Sequence, residues 1–253
     1  MKLLVDLGVV FLVLCAGTAI LVGAAHHAVT PFIGGLRAKW RARLRFAALI
    51  APISVASLGV LIALVPSFLH VIGLAQDHCL NSLEHKHAHL CFVHRPTGVS
   101  LLLACIVAGV GATIFFRATL VVARWWRAYR VFAAVIATSS IRTLLTGEYL
   151  FDSEVPVCVT TGLLRPKIFI SSRAVAALGP GCVQAALAHE RGHVARQETR
   201  ARFLGAMVEA FHVPGLGRSI LHRWQEDSEF LCDQFAARSA GSPTLVAEAL
   251  VRF

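Results

Sequence analysis

Three long apolar runs constrain this chain more than anything else in it: Leu3–Ala25, Phe46–Leu74 and Gly98–Ala123 each reach the roughly 20 residues that a bilayer-spanning helix needs. Of its 253 residues 57% are hydrophobic and 15% charged, which argues against a soluble globule, a disordered chain or a fibre. Asp6 stands where a signal peptide carries positive charge, and the first run exceeds the roughly 7–15 apolar residues of a signal-peptide core, so it reads as a retained anchor. Pro52 and Pro66 allow a kink in the second span, where neighbouring helices can satisfy the freed backbone groups.

The 24 Lys and Arg against 14 Asp and Glu give a net charge of +10, and their placement decides what that charge means. Arg37, Lys39, Arg41, Arg43 and Arg45 separate the first two runs, only Lys86 and Arg95 separate the next two, and Arg124, Arg127 and Arg130 follow the third. The positive-inside rule then predicts the N-terminus and the 75–97 loop outside, with the rest of the hydrophilic chain cytoplasmic. These arginines read as solvated, membrane-flanking charge, and no direct nucleic-acid binding is expected, since no basic stripe with interleaved stacking aromatics occurs. Trp125, Trp126 and Tyr129 have the composition of an interfacial belt. The division that follows is a three-span domain over 1–130 and a cytoplasmic domain over 131–253.

In the second half, Val131 to about Leu145 reads as an amphipathic connecting helix near the membrane. Val155–Thr160 and Lys167–Ser171 are β-branched-rich and read as a strand pair, and Pro180 and Gly181 open a helix running to about Arg200. The apolar stretch Phe203–Leu221 carries Glu209, His212, Pro214 and Arg218. Ionisable groups at mid-membrane are costly, so a bent or membrane-skimming segment is expected there rather than a fourth span.

The chemistry lies in His189-Glu190-Arg191-Gly192-His193, an H-E-x-x-H run inside the predicted helix. Residues four apart share a helical face, so both imidazoles can ligate one Zn²⁺, and Glu190 falls beside the remaining coordination position as the general base of a peptide hydrolysis. Catalytic zinc usually takes three protein ligands. Downstream, Glu229 and Asp233 are again four apart: one can be a ligand while the other hydrogen-bonds the free ring nitrogen of a ligating His.

These residues, HERGHVARQET, then FHVP, then EFLCDQFAA, with RPKIFISS ahead of them, resemble the membrane metallopeptidases of the BlaR/MecR type; HtpX-type membrane proteases share the looser two-part site. The resemblance implies a multi-span helical membrane protein with a small α+β, zincin-type (gluzincin-like) cytoplasmic metalloprotease domain in a bacterial-type inner membrane. It implies one Zn²⁺ on His189, His193 and Glu229, Glu190 as catalytic base and Asp233 behind a ligand. Lys167, Ile168, Phe169, Ile170 and Ser171 would form an edge strand that pairs with an extended peptide or protein substrate, by resemblance a transcriptional repressor or another membrane protein. Two departures stand out. Glu198 replaces the Asp common five residues after the second His, keeping the sign, so little consequence is expected. The chain ends at Phe253 without the external penicillin-binding domain of antibiotic sensors, so β-lactam sensing is not expected.

Three further features belong to this reading. His212 is a candidate oxyanion donor, set against a plain packing role in the FHVP bend. Cys79 and Cys91 in the external loop are candidates for a disulfide, and His85, His87 and His89 alternate as an external metal site would, or else make an unliganded polar loop. That loop supports a rival function, a non-catalytic membrane receptor or metal sensor with a structural zinc site.

Overall fold

The computed structural model describes residues 2–74 and 100–252. The Cys79–Cys91 disulfide and the His85, His87 and His89 site lie outside the described residues. Among the described residues three helices are long and apolar enough to cross a membrane: α1 (Lys2–Ile33), α2 (Ala38–Val71), which holds Pro52 and Pro66 within one helix, and α3 (Leu101–Thr138). The expected connecting helix over 131–145 does not form. α3 continues through the helix-forming VFAAVIA segment until Thr138 and Ser139 bond back to the carbonyls of Ala134 and Val135, and Ile141–Leu145 is strand β1.

After β1 come β2 (Glu148–Phe151), β3 (Cys158–Thr161), β4 (Lys167–Ser171), α4 (Ser172–Ala195), α5 (Glu198–Glu209), α6 (Leu216–Ala240) and α7 (Pro243–Arg252). The chain forms two compact units. The first comprises Met1–Thr30, Ala47–Ala118 and Val208–Ile220, so the turn between α5 and α6 is packed among the three long helices. Phe211 meets Phe11 edge-on at 6.2 Å between ring centres, and the Cys15 thiol donates to the Phe211 carbonyl. Arg117 of α3 donates to the carbonyls of Glu209, Ala210 and His212 and to the Glu209 carboxylate, 2.9 Å away. One guanidinium thus gathers the carbonyls at and just past the end of α5. The Phe203–Leu221 stretch is therefore bent, as its ionisable residues require, and no candidate span includes it.

The second unit comprises Pro31–Phe46, Thr119–Met207 and Leu221–Phe253. Its sheet has the order β1-β2-β4-β3, with β1/β2 and β3/β4 antiparallel and β2/β4 parallel. Gly147, at φ 85°, makes the tight β1–β2 turn. The strand pair expected from Val155–Thr160 and Lys167–Ser171 is present as β3 and β4, but the assignment of Lys167, Ile168, Phe169, Ile170 and Ser171 to an edge is corrected. β4 is paired on both sides, its Ile168, Phe169, Ile170 and Ser171 are buried, and its backbone has no side left for a substrate. The edge position falls to β3.

α4 packs on this sheet through Leu187 and Ala174 against Ile168 and Ile170. The Ser171 hydroxyl caps it, accepting from the Ala174 N–H at 3.1 Å. Gly179, at φ 72° and ψ 165°, interrupts the helix, and Pro180 opens its second half, as the sequence predicts. That half stops at Ala195 rather than near Arg200, because Gln197 turns to φ 52° and α5 starts at Glu198. Small residues, Ala185 and Ala188 on α4 and Ala236 on α6, let these helices and Val246 of α7 approach closely.

Two of the arginines between the first two apolar runs are taken up by one carboxylate. Arg41 Nε and Arg45 Nη1 bond the two oxygens of Asp227 on α6 at 2.8 and 2.5 Å, with Arg45 and Asp227 both buried. Arg41 Nη1 also reaches the carbonyls of Gly34 and Leu36, and Arg45 Nη1 that of Arg223.

Candidate metal centre

His189 and His193 project from the second half of α4 with ring centres 4.8 Å apart and Nε2 atoms 3.1 Å apart. Glu229 of α6 closes the triangle: its Oε2 lies 3.3 Å from His189 Nε2 and 3.6 Å from His193 Nε2. Tetrahedral zinc with bonds of about 2.0–2.1 Å holds neighbouring donors about 3.3–3.4 Å apart, so these three atoms have the spacing of three corners of such a site. The backs of both rings are tied. His189 Nδ1 is 2.8 Å from Asp233 Oδ1 and His193 Nδ1 is 2.8 Å from Glu198 Oε2, which directs both Nε2 atoms to the shared point.

Glu198, expected to matter little, is thus a building part of the site. It is buried, and it also accepts from the Cys232 thiol at 3.3 Å and from Arg202 at 2.9 and 2.7 Å. Burial works against its ionisation, but His193 and Arg202 more than compensate and hold its carboxyl down at about 2. Arg202 bonds Glu229 as well, so one guanidinium joins a candidate ligand to the carboxylate behind another. The Glu198–Arg202 spacing of four on one helix was the signal that could have revealed this pair.

Donor atoms of His189, Glu190 and His193 gather within 4.8 Å of one another, and so do those of His193, Glu198 and Cys232. The second group does not suit an ion. Glu198 is already saturated by Arg202 and His193, and burial together with Glu198 pushes the Cys232 thiol far above its usual pKa, keeping its proton on. In the metal-free protein burial opposes charge on His189, but the hydrogen bonds from Asp233 and Glu229 prevail and push its pKa up to about 10. Glu229 is correspondingly held down at about 2, chiefly by His189.

Glu190 stands beside the triangle, half-buried, on the neighbouring helical position. Thr160 of β3 fixes it: the hydroxyl is 2.6 Å from Glu190 Oε2 and 3.2 Å from the Glu190 carbonyl. Arg191 forms a two-bond ion pair with buried Glu148 of β2, tying α4 to the sheet. At Gly192 an added Cβ would sit 3.3 Å from Cys232 Cα, Cβ and Sγ; the glycine allows α6, with Glu229 and Asp233, to lie against the histidine helix.

A groove of about 860 Å³ opens in front of Glu190 and His193. Val159, Thr160 and Thr161 of β3 form one side, and Trp125, Trp126 and Tyr129 of α3 form another. The ring N–H of His212, the candidate oxyanion donor, is engaged elsewhere. The ring is buried in the first unit with Nε2–H donating to the Leu49 carbonyl at 2.8 Å, and burial lowers its pKa, so it is a neutral packing residue. No protein-family model matches the chain, and no curated protein matches it either.

Proposed function

We propose that this chain is a membrane-embedded, zinc-dependent endopeptidase with one Zn²⁺ held by His189, His193 and Glu229. The observation that carries the reading is the convergence of those three donor atoms beside a glutamate left out of the triangle and aimed by Thr160. When bound, zinc supplies a water acidified to near-neutral pKa and a Lewis acid for the peptide carbonyl. Glu190 accepts the proton of the attacking water and hands it to the departing amine. Asp233 and Glu198 hold the rings in the tautomer that leaves Nε2 free, and Arg202 holds Glu229 in place. An extended peptide pairs with the free edge of β3, which leads past Thr160 to Glu190. The charge distribution supports a cytoplasmic position for this unit and the family resemblance a bacterial-type inner membrane, with the substrate, a repressor or a membrane protein, reaching it from that side.

Detergent-purified protein lacking the loop histidines is expected to hold about one zinc per chain, as catalytic sites do, and Glu229→Ala to lose most of it. Equal metal in both proteins, measured by elemental analysis, would remove Glu229 from the site. Loading also depends on pH with a definite sign. Below about 10 the metal-free His189 carries a proton that a ligand nitrogen must give up. Affinity is therefore expected to rise about tenfold per pH unit between pH 6 and 8 for this one proton. A chelator competition showing no pH dependence would contradict it.

A further inference from the structure

We infer that the groove takes the membrane-proximal segment of a membrane-anchored polypeptide, extended along β3. The inference rests on the endopeptidase reading and narrows its substrate. Four observations support it. The wall facing β3 belongs to α3, which is itself apolar and long enough to cross a membrane, and its Trp126 and Tyr129 are 62% and 56% exposed, so none of the described residues covers that wall. Trp and Tyr of this kind sit at the level where a membrane meets water.

The opposite rim is a fixed apolar lip. Gly162, at φ 105°, turns the chain where a Cβ would collide with the Arg165 carbonyl, and Arg200 then clamps the carbonyls of Leu163 and Leu164. Leu164 is left 75% exposed on a rigid turn. β3 itself pairs only with β4 among the described residues, so its outer backbone groups are open to an added strand. Of the groove's lining, only Glu190, His193 and Arg202 are ionisable apart from Tyr129, and all three belong to the metal centre. The remainder asks for apolar side chains at alternate positions of an extended chain.

The geometry sets the distance from the anchor. From Val122 to Phe132 the α3 wall rises about 15 Å, which an extended substrate covers in about five residues. Cleavage therefore falls within about ten residues of the point where the substrate leaves the bilayer, and tethering there raises the local concentration of a segment that would bind weakly when free.

The test uses the full chain with zinc in proteoliposomes and a degenerate-sequence 12-residue peptide in three forms: joined directly to a spanning helix, joined through a 25-residue Gly/Ser spacer, and free. The expected result is cleavage of the direct fusion at least about tenfold faster than either other form, with cut sites mapped by mass spectrometry beside the anchor. Trp126→Ser and Leu164→Ser should each reduce that preference while metal content stays unchanged. In Glu190→Gln, a photoreactive group at position 164 should crosslink to the direct fusion and not to the free peptide. Equal cleavage of all three forms, or a crosslink to the free peptide alone, would overturn the inference and leave the endopeptidase reading intact. Cleavage of none, with zinc bound, would overturn both.

Discussion

Glu190→Gln is expected to lower peptide hydrolysis by about two to four orders of magnitude while zinc content stays that of the unchanged protein. The amide keeps the size of the carboxylate, and its oxygen can still accept from Thr160, now 2.6 Å from Oε2, so the local structure should persist. What disappears is the ability to take a proton. Glu190 is not one of the three converging donors, so its loss separates catalysis from metal retention. Hydrolysis and bound zinc measured on the same preparation give the answer. A loss of both would mean that the residue supports the metal. Unchanged cellular output with zinc retained would favour a receptor with a structural ion.

Asp227→Ala is expected to destabilise the protein by about 3–5 kcal/mol, seen as a lowered unfolding midpoint in detergent. Asp227 is the only carboxylate on Arg45 among the described ion pairs, and both groups are buried. Removing it leaves a guanidinium in a poorly solvated site, where one buried Nε already has no partner. Replacement by Asn should cost less, since it still accepts a hydrogen bond. An unfolding midpoint equal to that of the parent for Asp227→Ala would mean that water reaches Arg45. The effect on the metal centre is secondary, through the helix that carries Asp227, Glu229 and Asp233 together.

The residues that converge in the candidate site could be named from the sequence because their spacing is local. His189 and His193, and Glu229 and Asp233, each meet through the four-residue repeat of one helix, and apolar run length alone gives the three long helices. What was not legible depends on which segments become neighbours. Nothing in Lys167–Ser171 says whether a strand lies on one side of it or on two; that is decided by β2, whose EYLF segment has only four residues and follows a glycine turn. The same holds for Arg41 and Arg45, whose charge was read from position along the chain while Asp227, far away in sequence, takes them up. Glu198 was visible as a substitution that kept its sign, but its place behind His193 follows from the break at Gln197, which returns α5 to the histidine rings. The family resemblance supplied roles for ligands; Thr160 and Glu148 had no local pattern to mark them, and Arg202 only its four-residue spacing from Glu198.

The packing of residues 208–220 has a practical side for anyone preparing this protein. A water-soluble fragment beginning after the third long helix would keep α5 and α6 but strip the tip of their hairpin of its companions. Phe211 would lose Phe11, His212 would lose the Leu49 carbonyl, and three backbone carbonyls would lose Arg117. Such a fragment would present a sticky, hydrogen-bond-starved end and aggregate, whatever the state of its histidines. The long helices are thus part of the folding unit of the hairpin, and the smallest preparation worth assaying is the whole chain in detergent or bilayer.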